Sequence, residues 1–244
     1  MASQVQLAQL STRKLLEIRR IPRLSVGLVM LQRRLLTAEQ FQTALAQSHW
    51  CGEELEETLI RLGFTGEKQI TAARAAQWGY PVLSQEHMGH EVAAEIPRAL
   101  LESCAAVPLH YSVAAKRILF GFAYRVEHSF LAAVEQMTRC RPEPCFVCPT
   151  DLKQQMERLT AAQDYQEVVV EDPGTPEKMA RTVGRQAVEV GATEAAFIRC
   201  KNSLWVRLSG KHGKIDVIFQ LKNAANTVRE MNSEVFEETA LALG

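Results

Sequence analysis

Between residues 25 and 77 the apolar positions follow one pattern twice, at an offset of 29 residues. Val26 meets Leu55, Met30 meets Leu59, Leu35 meets Phe64, Gln40 meets Gln69 and Phe41 meets Ile70. Each copy runs from an apolar stripe through a tight turn into an amphipathic helix. In the first copy, Thr37 stands where it can cap a helix, and Gln40 where it can reach back to the capping residue's amide, which predicts a helix from Ala38. Phe41, Ala44, Leu45 and Ser48 then recur at helical spacing and give one moderately apolar face. In the second copy Leu55, Leu59 and Leu62 precede Gly63, and Ile70, Ala73 and Gln77 follow it, but Gly66 stands at the cap. A repeat shorter than about 40 residues cannot bury its own apolar face, so the copies are expected to pack on each other as one helical unit.

Downstream, the pattern predicts a helix over Glu91 to Cys104, strands at Ala106 to Leu109 and Arg117 to Phe122, a helix over Ser129 to Met137, a strand at Pro144 to Val147 and a helix over Thr150 to Leu159. Such alternation implies a small α/β subdomain. Residues 165–176, with Pro173, Gly174, Pro176 and several charges, read as an exposed linker. A helix over Glu177 to Val190 follows, ending at Gly191 in a left-handed cap. Three strands come next, Ala195 to Cys200, Leu204 to Ser209 and Lys214 to Leu221, with hairpin turns at Lys201 to Ser203 and Gly210 to Gly213. Leu204, Val206 and Leu208 share one face of the middle strand, and Trp205 and Arg207 share the other. The expected class is α+β. A duplicated helical unit packs with a small α/β subdomain and is followed by a smaller α+β domain with a three-stranded antiparallel sheet. The boundaries are a basic arm at 1–24, a first domain at 25–164 (repeat 25–84, α/β part 85–164), a linker at 165–176 and a second domain at 177–244.

Composition agrees with a soluble protein of the cytoplasm: 47% hydrophobic, 23% charged and formally neutral. There is no run of 18 apolar residues, and Met1 to Arg20 lacks the apolar centre of a secretory signal, so no direct membrane insertion is expected. Neutrality argues against nucleic acid as the main partner. The charge is nevertheless uneven: residues 1–34 hold seven Lys or Arg and only Glu17 as acid, whereas residues 35–70 hold six Glu and two basic residues. The arm reads either as an amphipathic helix laying Leu7, Leu10, Leu15 and Ile18 on the domain surface, or as a docking element.

Reactive groups are scattered. Cys140, Cys145 and Cys148 have the proximity of zinc ligands, but a strand at Pro144 to Val147 would send Cys145 and Cys148 to opposite faces, and no His lies nearby in sequence. Small buried thiols are expected instead. His87 and His90, flanked by Glu86 and Glu91, lack a third ligand and read as a surface loop. No nucleophile elbow or Ser/Cys–His pair is recognisable. Tyr111 and Trp205 read as packing or interface residues. No Gly-x4-Gly-Lys-Ser/Thr occurs in the 244 residues. The run Gly210, Lys211, His212, Gly213, Lys214 has the wrong spacing, and Ile215 offers magnesium no hydroxyl, so it reads as a hairpin turn.

The repeat, followed by Trp78, Gly79, Tyr80, Pro81 and Val82, resembles the N-terminal domain of the type II secretion and type IV pilus assembly ATPases, the GspE/PilB family with its MshEN-like domain. Ile96, Pro97, Leu100, Val107, Pro108, Leu109 and Ile118 to Ala123 resemble the next part of that family. Tyr124 and Arg125 stand where the family has Asp-Pro. Gly191 to Ala196 with Val206, Arg207 and Leu208 resemble its second N-terminal domain, though Ala196 stands for a His and Ser209 for an Arg. Some members bind cyclic di-GMP through paired motifs beginning Arg-Leu-Gly, with Gly at the tenth position and a final Gln. Here Ser25, Val26 and Gly27 begin the first motif, Arg34 replaces the inner Gly and Ser48 the Gln. Glu54, Leu55 and Glu56 begin the second, which retains Gly63 and Gln77. A ligand with two phosphates needs cations or free amides, and Glu54 and Glu56 add negative charge instead. Arg23, Arg33, Arg34 and Arg61 lie near enough in sequence to be recruited.

The resemblance implies an adaptor or regulatory protein without enzymatic activity or cofactor, whose partners are secretion or pilus assembly proteins. In that family ATP hydrolysis belongs to a domain beyond this region, so the chain reads as a stand-alone relative or as a fragment without the motor. The alternative is a cyclic di-GMP sensor using Gly27, Arg34, Leu35, Leu36, Gly63 and Gln77. An enzyme of unrelated class on the same fold is the third reading.

Overall fold

The computed structural model describes residues 25–84, 96–162 and 166–221. The basic arm at 1–24 and the His87 and His90 cluster therefore lie outside the described residues. The chain divides into two compact units, Met1–Thr65 and Gly66–Gly244, and the division falls inside the second copy of the repeat.

In the first unit, helices α1 (Val26–Gln32), α2 (Ala38–Cys51) and α3 (Leu55–Arg61) pack on one another. Their core is Val26, Val29, Met30, Leu36, Ala44 and Leu59, of which Met30, Ala44 and Leu59 are fully shielded from solvent. Burying side chains of this size contributes about 1.5–3 kcal/mol each, which a helix of seven residues needs because it is not stable alone. The predicted capping box forms: Thr37 Oγ1 accepts from the Gln40 amide at 3.1 Å and Gln40 Oε1 from the Thr37 amide at 2.9 Å.

The helix α4 (Glu67–Trp78), which completes the second copy, belongs to the second unit. Within the first unit the first copy packs with α3, the opening helix of the second copy, and within the second unit α4 packs against β3. The second unit continues with α5 (Arg98–Ser103), β1 (Ala106–Ser112), β2 (Arg117–Phe122), α6 (His128–Thr138), β3 (Arg141–Phe146), α7 (Pro149–Ala162), β4 (Glu167–Val170), α8 (Pro176–Val190), β5 (Ala192–Cys200), β6 (Ser203–Gly210) and β7 (Gly213–Gln220). Its first sheet has the order β1-β2-β3, with β1 and β2 antiparallel and β2 and β3 parallel. The parallel step needs a crossover, and α6 supplies it.

The α+β class is as the sequence predicts. The second sheet has four strands rather than three, in the order β4-β7-β6-β5, because Glu167–Val170 pairs parallel with β7. That strand lies inside the stretch read as a linker. Val168, Val169 and Val170 have the β-branched stiffness that suits an edge strand, and β7, distant in sequence, provides its partner.

Both faces of this sheet are covered. Leu204, Val206, Leu208, Val217 and Phe219 pack against Met179, Ala180 and Val183 of α8. On the other face Trp205, Ile218 and Cys200 join a core built of Phe120, Phe122, Phe130, Val134 and Phe146. The Trp205 side therefore belongs to the same core as the first sheet, and the helix–sheet layers of the second unit are continuous.

Candidate functional site

The six residues of the candidate dinucleotide pocket divide between the units: Gly27, Arg34, Leu35, Leu36 and Gly63 lie in the first, Gln77 in the second. Gly27 sits in the buried stripe of α1. A Cβ there would come within 2.5 Å of Phe41 Cε2 and 3.1 Å of Leu55 Cδ2, so this glycine serves the close approach of α1 to α2 and α3. Leu36 is buried and Leu35 half-buried.

Arg34 and Gly63 both take left-handed backbone, at φ 58° and 70°. At the first turn the Arg34 and Leu35 amides donate to the Leu31 and Met30 carbonyls at 3.0 and 2.9 Å. At the second, the Gly63 and Phe64 amides donate to Ile60 and Leu59 at 2.9 and 3.0 Å. These four donors terminate α1 and α3 and are not available to a phosphate. Arg33 and Arg34 are exposed. Arg61 instead holds Glu53 Oε2, through Nε at 3.0 Å and its terminal nitrogen at 2.9 Å.

The turn read from Gly210, Lys211, His212 and Gly213 is a hairpin turn between β6 and β7. Its Lys211 and His212 amides donate to the carbonyls of Gly191 and Val190 at the end of α8, at 3.3 and 3.1 Å. A Cβ on Gly210 would lie 2.2 Å from the Gly191 carbonyl oxygen, which is why glycine stands there. The loop caps a helix.

A cleft of about 950 Å³ opens beside the end of α6 and strands β5 to β7, lined by Tyr111, Met137, Arg139, Cys140, Glu194, Arg207 and Lys214 among others. Arg207, which reaches it, is tied to Asp216, Nε to Oδ1 at 3.0 Å and NH2 to Oδ2 at 2.8 Å. Trp205 Nε1 donates to the same Oδ1 at 2.8 Å, and the Arg207 guanidinium lies 5.1 Å from the Trp205 ring centre. Asp216 is 1% exposed, and three donors replace its lost water. The sequence pattern placed Trp205 and Arg207 on one face but gave no sign of Asp216 as their partner. A further buried cation it did not reveal is Arg74 of α4, which donates to the Ala123 carbonyl and lies over the Tyr124 ring, where the resembled family has Asp-Pro.

Among the described residues no group of three or more His, Cys, Asp or Glu could hold a metal ion. Cys140 and Cys145 enter different apolar clusters, and the Cys148 thiol accepts from Thr71 Oγ1 at 3.7 Å. Burial pushes the Cys145 thiol up to about 12 and that of Cys148 upward as well. Cys104 and Cys200 differ. The neighbouring Cys200 thiol, helped by Ser103 and Lys201, pulls Cys104 down to about 7 against its burial, while Cys200 is pushed up. Among the described residues no helix is long and apolar enough to cross a membrane.

No family model and no curated protein matches the chain. Among solved structures it is similar to MshE with cdg, at 19% identity and a TM-score of 0.46, over 56% of this chain and 99% of that one. It is also similar to the N-terminal domain of XpsE in two crystal forms. One gives 20% identity and a TM-score of 0.41 over 55% of this chain and 92% of the other. The second gives 18% identity and 0.34, over 57% and 97%.

Proposed function

We propose that this chain is a non-enzymatic adaptor or regulatory module of a type II secretion or type IV pilus assembly system, acting in the cytoplasm through protein contacts. The observation that supports it most is the use made of the duplicated segment. Gly27 is spent on helix packing, Leu36 on the core, and the amides of both left-handed turns on helix termination. The motif resembling a ligand-binding one is thus kept as scaffold. Glu54 and Glu56, at positions where the motif carries Arg and Gly, add acid where a bis-phosphate requires cations.

Among the side chains that the first unit exposes are large apolar ones: Trp50 of α2 is 89% exposed, with Leu28, Leu45 and Ile60 each partly so. An exposed Trp is a common anchor of protein interfaces. Calorimetric titration of the purified chain with cyclic di-GMP, with ATP alongside, is expected to give no binding heat and no turnover. Micromolar binding of the dinucleotide would replace the adaptor by the sensor, and ATP turnover would overturn the non-enzymatic reading. For the adaptor itself, titration against the cytoplasmic domain of a secretion or pilus platform protein is expected to show binding that Trp50→Ala weakens by tenfold or more, about 1.4 kcal/mol, with unchanged unfolding.

A further inference from the structure

We propose that the acidic run at residues 230–238 occupies the cleft beside β5, a contact made within one chain. It is independent of the adaptor reading. The cleft, of about 950 Å³, is lined by three cations, Arg139, Arg207 and Lys214, and by one acid, Glu194. Buried Arg207 is neutralised by Asp216, whereas Arg139 and Lys214 are exposed and outnumber Glu194. Arg141 and Lys116, both exposed, extend the cationic surface: Arg141 directly follows Cys140 of the lining, and its amide donates to the Lys116 carbonyl at 2.7 Å.

The cleft also has the form that an extended segment needs. Glu194, Ser209 and Lys214 make one row across β5, β6 and β7, and Ala196, Arg207 and Asp216 make the next. Among the described residues no strand pairs with the outer side of β5, and Thr193 to Ala196 are exposed, so the cleft includes a strand edge of the kind that peptides extend. Tyr111, Ile118 and Met137 add apolar surface.

Residues 222–244 lie outside the described residues, and their sequence complements this surface. Glu230, Glu234, Glu237 and Glu238 fall within nine residues that contain no Lys or Arg, with Val235 and Phe236 among them. Reach is sufficient. Leu221 directly follows β7, and Lys214 stands near the start of that strand, so the two are about 23 Å apart along it. The nine residues from Leu221 to Glu230 span up to about 30 Å when extended, and Glu234 to Glu238 reach farther. Carboxylates tethered this close meet the cleft at high effective concentration, which favours contact within the chain over an acidic peptide from solution.

The test compares the 244-residue chain with a variant carrying Glu230→Gln, Glu234→Gln, Glu237→Gln and Glu238→Gln. A fluorescent synthetic peptide of residues 226–244 should bind the variant, whose own segment has lost its charge, at least tenfold more tightly than the unaltered chain. Adding Arg139→Glu and Lys214→Glu to the variant should weaken that binding by tenfold or more. Without any substitution, a water-soluble carbodiimide should join Lys214 to a glutamate among residues 230–238 of the same molecule, as mapped by mass spectrometry of the monomer. Equal peptide affinity for both chains, or binding that the charge reversal leaves unchanged, would overturn the proposal. So would a Lys214 bridge to another carboxylate, while a bridge found only between two molecules would give the cleft to a second copy instead. The cross-link decides the matter even where the charge-reversed chain fails to fold.

Discussion

At the turn after its first helix, one copy of the repeat holds Arg34 at φ 58° with its amide on Leu31, and the other holds Gly63 at φ 70° with its amide on Ile60. The caps match too: Ser25 with Glu54, Arg33 with Leu62 and Thr37 with Gly66 stand at equivalent positions. Yet Ser25 and Thr37 cap with side chains where Glu54 and Gly66 do not, and buried Gly27 faces half-buried Glu56 across the 29-residue offset. The backbone path has been kept while the chemistry along it has been exchanged. Between the copies the turns and the positions of the helix ends are kept, while the capping side chains and the residue at the close approach of Gly27 are exchanged.

The largest effect should come from Gly27. Leucine there drives four carbons toward a space where the first of them already meets Phe41 at 2.5 Å, so overpacking is expected to cost about 2–3 kcal/mol. Gly27→Ala should cost less, since about 1 kcal/mol of helix propensity offsets part of the clash. Glu56→Ala, at the matching position of the other copy, should change stability by under about 1 kcal/mol. Urea unfolding followed by circular dichroism measures all three. Equal costs at the two positions would break the comparison, because they would mean that Gly27 has no special packing role.

Next come the left-handed turns. Gly63→Arg writes the first copy's residue into the second and is expected to cost about 1 kcal/mol, the penalty of a side chain in that region. Arg34→Gly should recover less, about 0.5 kcal/mol, because the unfolded chain also gains freedom. Were Arg34→Gly instead destabilising by more than about 1 kcal/mol, the Arg34 side chain would hold a contact worth more than the strain. That result would revive a ligand or partner role for it.

Much of this was legible beforehand, and the reason is that it is local. Caps, left-handed turns and short strands are decided within a few residues, so Thr37 with Gln40, Gly191 and the strand Arg117–Phe122 could be read from composition and spacing. What escaped depends on partners distant in sequence. The strand Glu167–Val170 exists because β7 provides an edge for it, and Pro173 and Gly174 nearby gave it the look of a linker. Asp216 gave no sign that it would meet Arg207 and Trp205. Of the candidate pocket residues, Gly27 and Leu36 were noticed for a resemblance, but their packing against Phe41 and the core required the fold.

The smallest expected effect tests the caps. Gly66 has φ −117° and ψ 167°, which any residue adopts, so Gly66→Thr can place a hydroxyl as Thr37 does in the first copy. Half of the box is already there, since Gln69 Oε1 accepts from the Gly66 amide at 3.2 Å. The added threonine therefore contributes only its bond from the Gln69 amide, which already has the Gly66 carbonyl at 3.1 Å. A gain of about 0.3 kcal/mol follows, and Thr37→Gly should lose a similar amount. In hydrogen exchange this slows the Gln69 amide by less than about twofold. A tenfold slowing would mean that the glycine cap leaves the start of α4 frayed, and the second copy would then be held by its tertiary contacts and not by the local pattern that it shares with the first.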